Sequence, residues 1–345
     1  MAGINTGTPV QKTNGTGVKL SAKIQAVYDR ILLTRAVDAQ LFDTGAQAKV
    51  IPARSNTKKA FAYRYKNLKP ALTPLAEYNG SNIKAPNKIT REEITYDVKH
   101  YGDYIVYTDE LDLYDLDNIK TSFLDLLGDQ ASHTMDTIRR DVLRAGTNVV
   151  FADGAADRAA VAAGKVAVAK DFATMAVKLK NQRATKFRSV IQGTNKENTF
   201  PIRSAFLGIT SPEVVEDFRD LKGWKNVEEY ADYSKSMKEE VGSMGDFRIL
   251  ESTNNEPVDQ GGKNVYLSLF FGENAYATTT LRGKAGIQTI VKPIGSAGTA
   301  DPLNQVGSIG WKAIGGCSIL NEAWLVRLET SATIEDAAPK HYMDV

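Results

Sequence analysis

The stretch DELDLYDLDNIKTSFLDLLGDQASHTMDTIRRDVLRAGTNVV, Asp109 to Val150, decides how the rest of the chain is read. Its apolar residues Ile119, Phe123, Leu126, Leu127, Met135, Ile138, Val142 and Ala145 carry the spacing of one face of an amphipathic helix. Acids crowd its start (Asp112, Asp115, Asp117) and arginines its end (Arg139, Arg140, Arg144), as the helix dipole favours. Asn118 is placed to cap the N-terminus and Gly146 to stand at C′. A helix from about Asn118 to Ala145 would run roughly 40 Å at ~1.5 Å per residue. That is long against a mean of about 11–12 residues. This helix is the spine, with sheet-forming sequence on both sides.

Upstream, AFAYRYKNL alternates Phe61, Tyr63 and Tyr65 against Arg64 and Lys66, a period of two. EITYDV repeats the pattern with Ile94, Tyr96 and Val98, and YIVYT resumes it after an expected bulge at Gly102. Two long antiparallel strands follow from this, joined by the Pro- and Gly-punctuated run Lys69–Ile89. So long a connection suits a functional loop better than a compact interior, so the segment reads as a projecting β-arm. From Thr57 to Lys99 nine basic residues stand against four acids, a net +5; Asp109–Asp129 has seven acids and only Lys120, a net −6. An arm that reaches a neighbouring subunit would be held in register by that complementarity. The residues expected at such a contact are Arg64, Lys66, Lys84, Lys88 and Arg91, facing Asp109, Glu110, Asp112, Asp115 and Asp117.

Further upstream, residues 1–19 lack periodicity and read as a mobile arm, with an interrupted helix from Leu20 (Ile24, Val27, Ile31, Leu41) broken at Gly45. Downstream, 151–170 reads as loop with a short strand, and Asp171 as the cap of a helix to about Arg183. Strands are expected at Phe187–Gln192, Ala205–Thr210, Phe247–Glu251 and Val265–Phe271. A helix opened by Ser211 with Pro212 in its first turn lies between them. Ile309–Ile319 and Ala323–Glu329 read as a closing pair of strands.

At 345 residues the chain can bury a sizeable core and divide into lobes. A formal charge of +2 gives no case for wholesale nucleic-acid binding. No apolar run is long enough for a membrane span, and no signal core opens the chain. Cys317 stands alone, which excludes an intrachain disulfide framework. His100, His133 and His341 are scattered, and neither HExxH nor a phosphate-cradling glycine loop occurs. GSMG (242–245) and GGCS (315–318) do not fit a nucleophile elbow. DELDLYD lacks the glycine and glutamate of a calcium loop. No catalytic, cofactor-binding or metal residue is therefore assigned.

The order of parts resembles the tailed-phage major capsid protein, with its HK97-like fold. The wording is closest to the coat family of the N4-like phages. The passages that carry the resemblance are KNLKPALTPLAEYNGSNIKAPNKITREEITYDVKHYGDYIVYTDEL (66–111), RRDVLRAGTNVVFADG (139–154), GITSPEVVEDFRDL (208–221) and GWKAIGGCSILNEAWLVRLE (310–329). The resemblance implies an α+β chain with an N-terminal arm (1–48), an extended β-loop (49–108), a peripheral domain with the spine (109–184), an α/β axial domain (185–305), and closing peripheral strands with a tail (306–345). It implies a structural, non-catalytic subunit of the virion capsid, assembled in the host cytoplasm as pentamers and hexamers of an icosahedral shell. Its implied partners are copies of itself, a portal protein, a separate scaffold protein, a decoration protein, and packaged double-stranded DNA without sequence-specific contact. A membrane is not among them. Alternative readings are an encapsulin-type shell around protein cargo and a soluble α/β enzyme with dispersed catalytic residues.

Overall fold

The computed structural model describes residues 40–51, 59–65, 86–114, 119–187, 204–230, 236–237, 239–281, 287–297 and 301–334, with isolated positions between 68 and 77. The expected helix from Leu20 as far as residue 39, the arm before it, Asn118, and most of the Lys69–Ile89 connection lie outside the described residues, and at the expected helix's end Leu41–Asp43 form a single 3-10 turn. The strands are β1 (Gln47–Ile51), β2 (Lys59–Tyr65), β3 (Arg91–Asp97), β4 (Lys99–Thr108), β5 (Val149–Phe151), β6 (Phe206–Thr210), β7 (Trp224–Asn226), β8 (Glu240–Met244), β9 (Phe247–Glu251), β10 (Val258–Asp259), β11 (Asn264–Phe271), β12 (Tyr276–Leu281), β13 (Ile287–Lys292), β14 (Val306–Ile319) and β15 (Leu325–Thr330). The helices are α1 (Asp109–Tyr114), α2 (Ile119–Arg144), α3 (Arg158–Ala162), α4 (Ala169–Asn181) and α5 (Pro212–Arg219).

Helix α2 is the spine, and its 26 residues span roughly 39 Å. Its apolar face is turned from the expected one. Leu124, Leu127, Ala131, Met135 and Leu143 are buried, with Phe123 and Ile138 partly so, whereas Leu126 is exposed. That face packs on Ile105, Tyr107, Ile309, Trp311 and Ala313 from β4 and β14, and on Ile287 from β13. Burying Leu124 or Leu127 contributes about 1.5–3 kcal/mol each. The spine ends at Gly146 for a reason other than a left-handed C′ turn. Gly146 has no positive φ, and a Cβ there would lie 2.8 Å from Leu325 Cδ2, so the glycine permits close approach to β15.

Two sheets organise the body. The first runs β1–β12–β14–β13, with β4 also on β14. The register of β4 on β14 runs unbroken from Thr108↔Val306 to Lys99↔Gly315, so the expected bulge at Gly102 is absent. Gly102 instead clears the Trp311 carbonyl oxygen, 2.6 Å from where its Cβ would stand. The second sheet runs β5–β15–β11–β6–β9–β8–β7, with β10 on β11. The closing strands are therefore not a pair. β14 belongs to the first sheet, and β15 pairs with β11 and β5 in the second. The link between them is turned by Leu320 and Asn321, whose N–H groups both donate to the Ala275 carbonyl.

Helices α4 and α5 cover one face of the second sheet, where Phe172 sets its ring edge-on against Phe218 (4.9 Å) and Phe270 (5.7 Å). Pro212 stands at the first turn of α5 as expected. Asp171 is not the cap of α4 but sits one turn in, its Oδ2 accepting from the N–H groups of Val168 and Asp153 (3.0 Å each). Of the expected strand at Phe187–Gln192, Phe187 makes a single bridge to Ala205 and the remainder lies outside the described residues. On the other face, Leu207, Leu269, Phe271 and Leu325 meet Tyr276, Leu143 and Phe42, which joins the two sheets through one core.

Candidate functional site

Strands β2 and β3 form a separate two-stranded sheet, in register from Lys59↔Asp97 to Tyr65↔Arg91. Ala62 and Tyr96 of this hairpin are buried beside Ile94, Val98 and Leu320, and the Tyr96 hydroxyl is hydrogen-bonded to Thr279 on β12. The hairpin is thus tied to the body where β3 runs into β4. Its other face carries Phe61, Tyr63 and Tyr65, all exposed. Alternation had placed these three on one face, and it is the alanine face that is covered.

Among the expected contact residues, Arg64 pairs with Glu92 across the hairpin at 2.6 Å. Arg91 is exposed and sets its guanidinium 4.3 Å from the Tyr63 ring centre. Lys88 is exposed, while Lys66 and Lys84 lie outside the described residues. On the acidic side, Asp109 and Glu110 are exposed at the start of α1. Asp109 Oδ1 accepts from the Glu110 N–H, and Thr108 Oγ1 accepts from the Leu111 N–H. Asp112 also lies on α1; Asp115 and Asp117 lie outside the described residues. Among the described residues, no ion pair joins the basic group to the acidic one within the chain.

One constellation had no sequence expectation. The run Ser252–Glu256 tucks between the spine and the second sheet. Asp136 Oδ1 accepts from the Phe42 N–H (2.9 Å), and Oδ2 accepts from Asn254 Nδ2 (3.0 Å). Arg140 donates to the Asn254 carbonyl (2.6 Å) and stands 3.4 Å from Glu256. Asn255 donates to the Leu267 carbonyl (2.9 Å) and accepts on its own carbonyl from Ser211 (2.6 Å). Burial pushes the Asp136 carboxyl above the usual range, against the opposing pull of Asn254, the Phe42 N–H and Arg139. This is a polar staple that positions the spine on the sheet. The one available signal was Asp136 and Arg140, four apart on the helix and opposite an asparagine-rich turn.

Two further buried ionic clusters also hold elements together. Glu240 and Arg248 are buried together, with Arg248 Nε donating to Glu240 Oε1 at 2.7 Å and the Tyr230 hydroxyl donating to the same oxygen at 3.0 Å. Glu329 is buried between Arg158 (2.7 Å to each oxygen) and Arg327 (2.9 Å). Burial pushes the Cys317 thiol up to about 12, so it is not a thiolate at neutral pH. Among the described residues, no group of three or more His, Cys, Asp or Glu is placed to hold a metal ion.

The profile of a family described as phage capsid protein matches residues 91–328, and the chain belongs to that family. It is a major capsid protein, a structural subunit that forms the shell of a bacteriophage virion. Its fold is HK97-like, as comparison with solved capsids shows. The capsid of Ralstonia phage GP4 superposes with a TM-score of 0.68 over 88% of this chain and 93% of that one, at 11% identity. The capsid of cyanophage P-SCSP1u gives 0.56 over 96% and 97%, at 14% identity. The mature capsid of bacteriophage PhiM1 gives 0.55 over 86% and 88%, at 13% identity. No curated protein sequence matches the chain. None of these comparisons bears on the N4-like wording.

Proposed function

We propose that the subunit assembles into pentamers and hexamers that close an icosahedral shell around packaged double-stranded DNA, inside the host cytoplasm and without catalytic activity of its own. A portal protein, a separate scaffold and a decoration protein are its further partners. The observation that carries this reading is the β2–β3 hairpin: a basic arm in its own sheet, anchored at one end, whose described basic residues Arg64, Lys88 and Arg91 form no ion pair with the described acids Asp109 and Glu110. A neighbour's acidic helix start satisfies both. In this reading residues 49–108 form the extended loop, 109–184 the peripheral domain and 185–305 the axial domain. The closing segment 306–345 serves both, because β14 is laddered to the first sheet and β15 to the second.

Sedimentation and negative-stain imaging of the purified protein test the reading. Closed particles that package double-stranded DNA during infection support it; particles holding enzyme cargo favour an encapsulin-type shell, and a stable monomer overturns both. For the arm contact, Lys84, Lys88 and Arg91 are reversed together to glutamate. Particle yield is expected to fall severalfold while circular dichroism and thermal midpoint stay put. Three reversals are needed because an exposed pair is worth only about 0.2–1 kcal/mol. Unchanged yield would refute the charge pairing.

A further inference from the structure

The apolar stripe of Leu20, Ile24, Val27 and Ile31 belongs to a segment outside the described residues, and a stripe of that kind needs a surface to bury it. Where that segment enters the body is fixed. Arg139 on the spine donates to Gln40 Oε1 at 2.7 Å and stands 3.6 Å from Asp43, and the Phe42 N–H donates to Asp136. The chain therefore reaches the body against one flank of the spine. Along that flank Gly128, Ser132 and Asp136 recur every fourth residue. Each follows a core-facing Leu127, Ala131 or Met135 by one place and so is turned about 100° from it. All three are buried, and Ser132 Oγ has no hydrogen-bond partner. Short side chains in a row let a second helix come close. Round the helix from the row lie Asp125 and Asp129, and then Leu126, a leucine left 61% exposed.

We propose that residues 20–39 lie along this flank as a second helix, parallel to the spine of the same chain. The point of entry, the length and the charges all name this occupant. From Arg139 the spine runs on only as far as Arg144 in one direction, but back to Ile119 in the other. Leu20–Gln40 and Ile119–Arg139 contain the same number of residues, and each is roughly 30 Å long as a helix at ~1.5 Å per residue. Setting Gln40 beside Arg139 brings Val27 level with Leu126 and Arg30 level with Asp129, with Lys23 less than a turn from Asp125. Apolar side chain then meets apolar side chain and base meets acid, while Asp29 falls on the far side of the stripe. The proposal goes beyond the shell reading, because it concerns the single subunit. Residues 1–48 are then a free tip, 1–19, on a docked helix. The same segment from a neighbouring copy is the competing occupant.

The variant Val27→Cys/Leu126→Cys tests this in dilute, unassembled subunit oxidised with copper phenanthroline. A disulfide within the chain is expected, seen as faster migration on a non-reducing gel. The native Cys317 thiol is half-buried and protonated, so it stays out of the reaction. A disulfide-linked dimer would give the flank to a neighbour's segment, and no disulfide would leave the segment elsewhere; either result overturns the proposal. Independently, Leu126→Lys/Asp129→Lys, at two exposed positions, is expected to keep the wild-type circular dichroism spectrum. It should speed trypsin cleavage at Lys23, Arg30 and Arg35 severalfold. Should that variant unfold, Ile24→Ser/Ile31→Ser on the segment itself takes its place with the same readout. Cleavage at the wild-type rate overturns the docking. Neither measurement counts particles, so the proposal and the shell reading fail separately.

Discussion

Asp136 receives one hydrogen bond on each carboxylate oxygen, and both donors are fixed by other bonds. The Phe42 N–H is backbone, and Asn254 cannot turn its amide over without pointing its NH₂ at Arg140, which donates to Asn254 Oδ1 at 3.2 Å. Asp136→Asn would therefore face one donor with another inside the protein. The expected cost is about 1–3 kcal/mol, the penalty of a buried unsatisfied group, and denaturant unfolding of the subunit measures it. The same site sets a pH trend. Because the folded carboxyl holds its proton to higher pH than the unfolded one, its contribution to stability declines as pH rises from the usual Asp range to the folded value. Asp246 runs the other way. Burial raises it, but hydrogen bonds from Lys180 and Lys186 together outweigh that and bring it below the usual range. Its contribution is present above the unfolded pKa and is lost as pH falls through the folded one. Lys186→Met should shrink that acid-side loss, read from thermal midpoints between pH 3 and 6 (on the order of the Asp range).

At the level of elements, the spine is the part most legible in sequence, because a 3.6-residue period persists over seven turns whatever it packs against. Its orientation was not. Phe123, Leu124, Leu126 and Leu127 together cover most of a turn, so spacing alone cannot choose between a face centred on Leu126 and one centred on Leu124; the sheet beneath chooses Leu124. Leu124→Ala should accordingly cost about 2–5 kcal/mol, while Leu126→Ala, at an exposed position, should change the unfolding midpoint little. Strand alternation located β9, β11, β14 and β15 well and could not say which sheet each joins, since pairing is decided by partners far along the chain. The polar staple was opaque for a related reason: STNNE has the composition of a surface turn, and only the apposed Asp136 and Arg140 make it interior. Gly146 gives a check on that apposition. Gly146→Ala should cost about 1–3 kcal/mol through overpacking against Leu325, whereas at an ordinary left-handed helix end the same change would act through backbone strain with no dependence on Leu325. The double variant Gly146→Ala/Leu325→Val separates the two, with recovery of stability expected.

For the whole molecule, the relevant quantity is how one subunit commits the next. Under the proposed arm contact, a subunit with an intact acidic helix start but a charge-reversed arm accepts a neighbour and offers nothing onward. Added at a small fraction of the total, the Lys84→Glu/Lys88→Glu/Arg91→Glu variant should lower particle yield by more than its own share, which light scattering during assembly would follow. If yield falls only in proportion to the variant added, growth does not pass through the arm.

The seating of Phe42 has a kinetic side as well. Its carbonyl accepts from the Tyr276 hydroxyl 234 positions later, β1 is laddered to β12, and β4 to β14. Nearly every strand of the first sheet has to wait for residues made late on the ribosome, and loop closure over such spans is slow. During synthesis the arm and the bare sheet strands are exposed together, the combination most prone to premature association. The subunit is thus expected to refold in milliseconds to seconds or slower rather than microseconds, by stopped-flow fluorescence, and to depend on dilution for its yield. A shell that grows from many copies begins with a chain that has to finish alone.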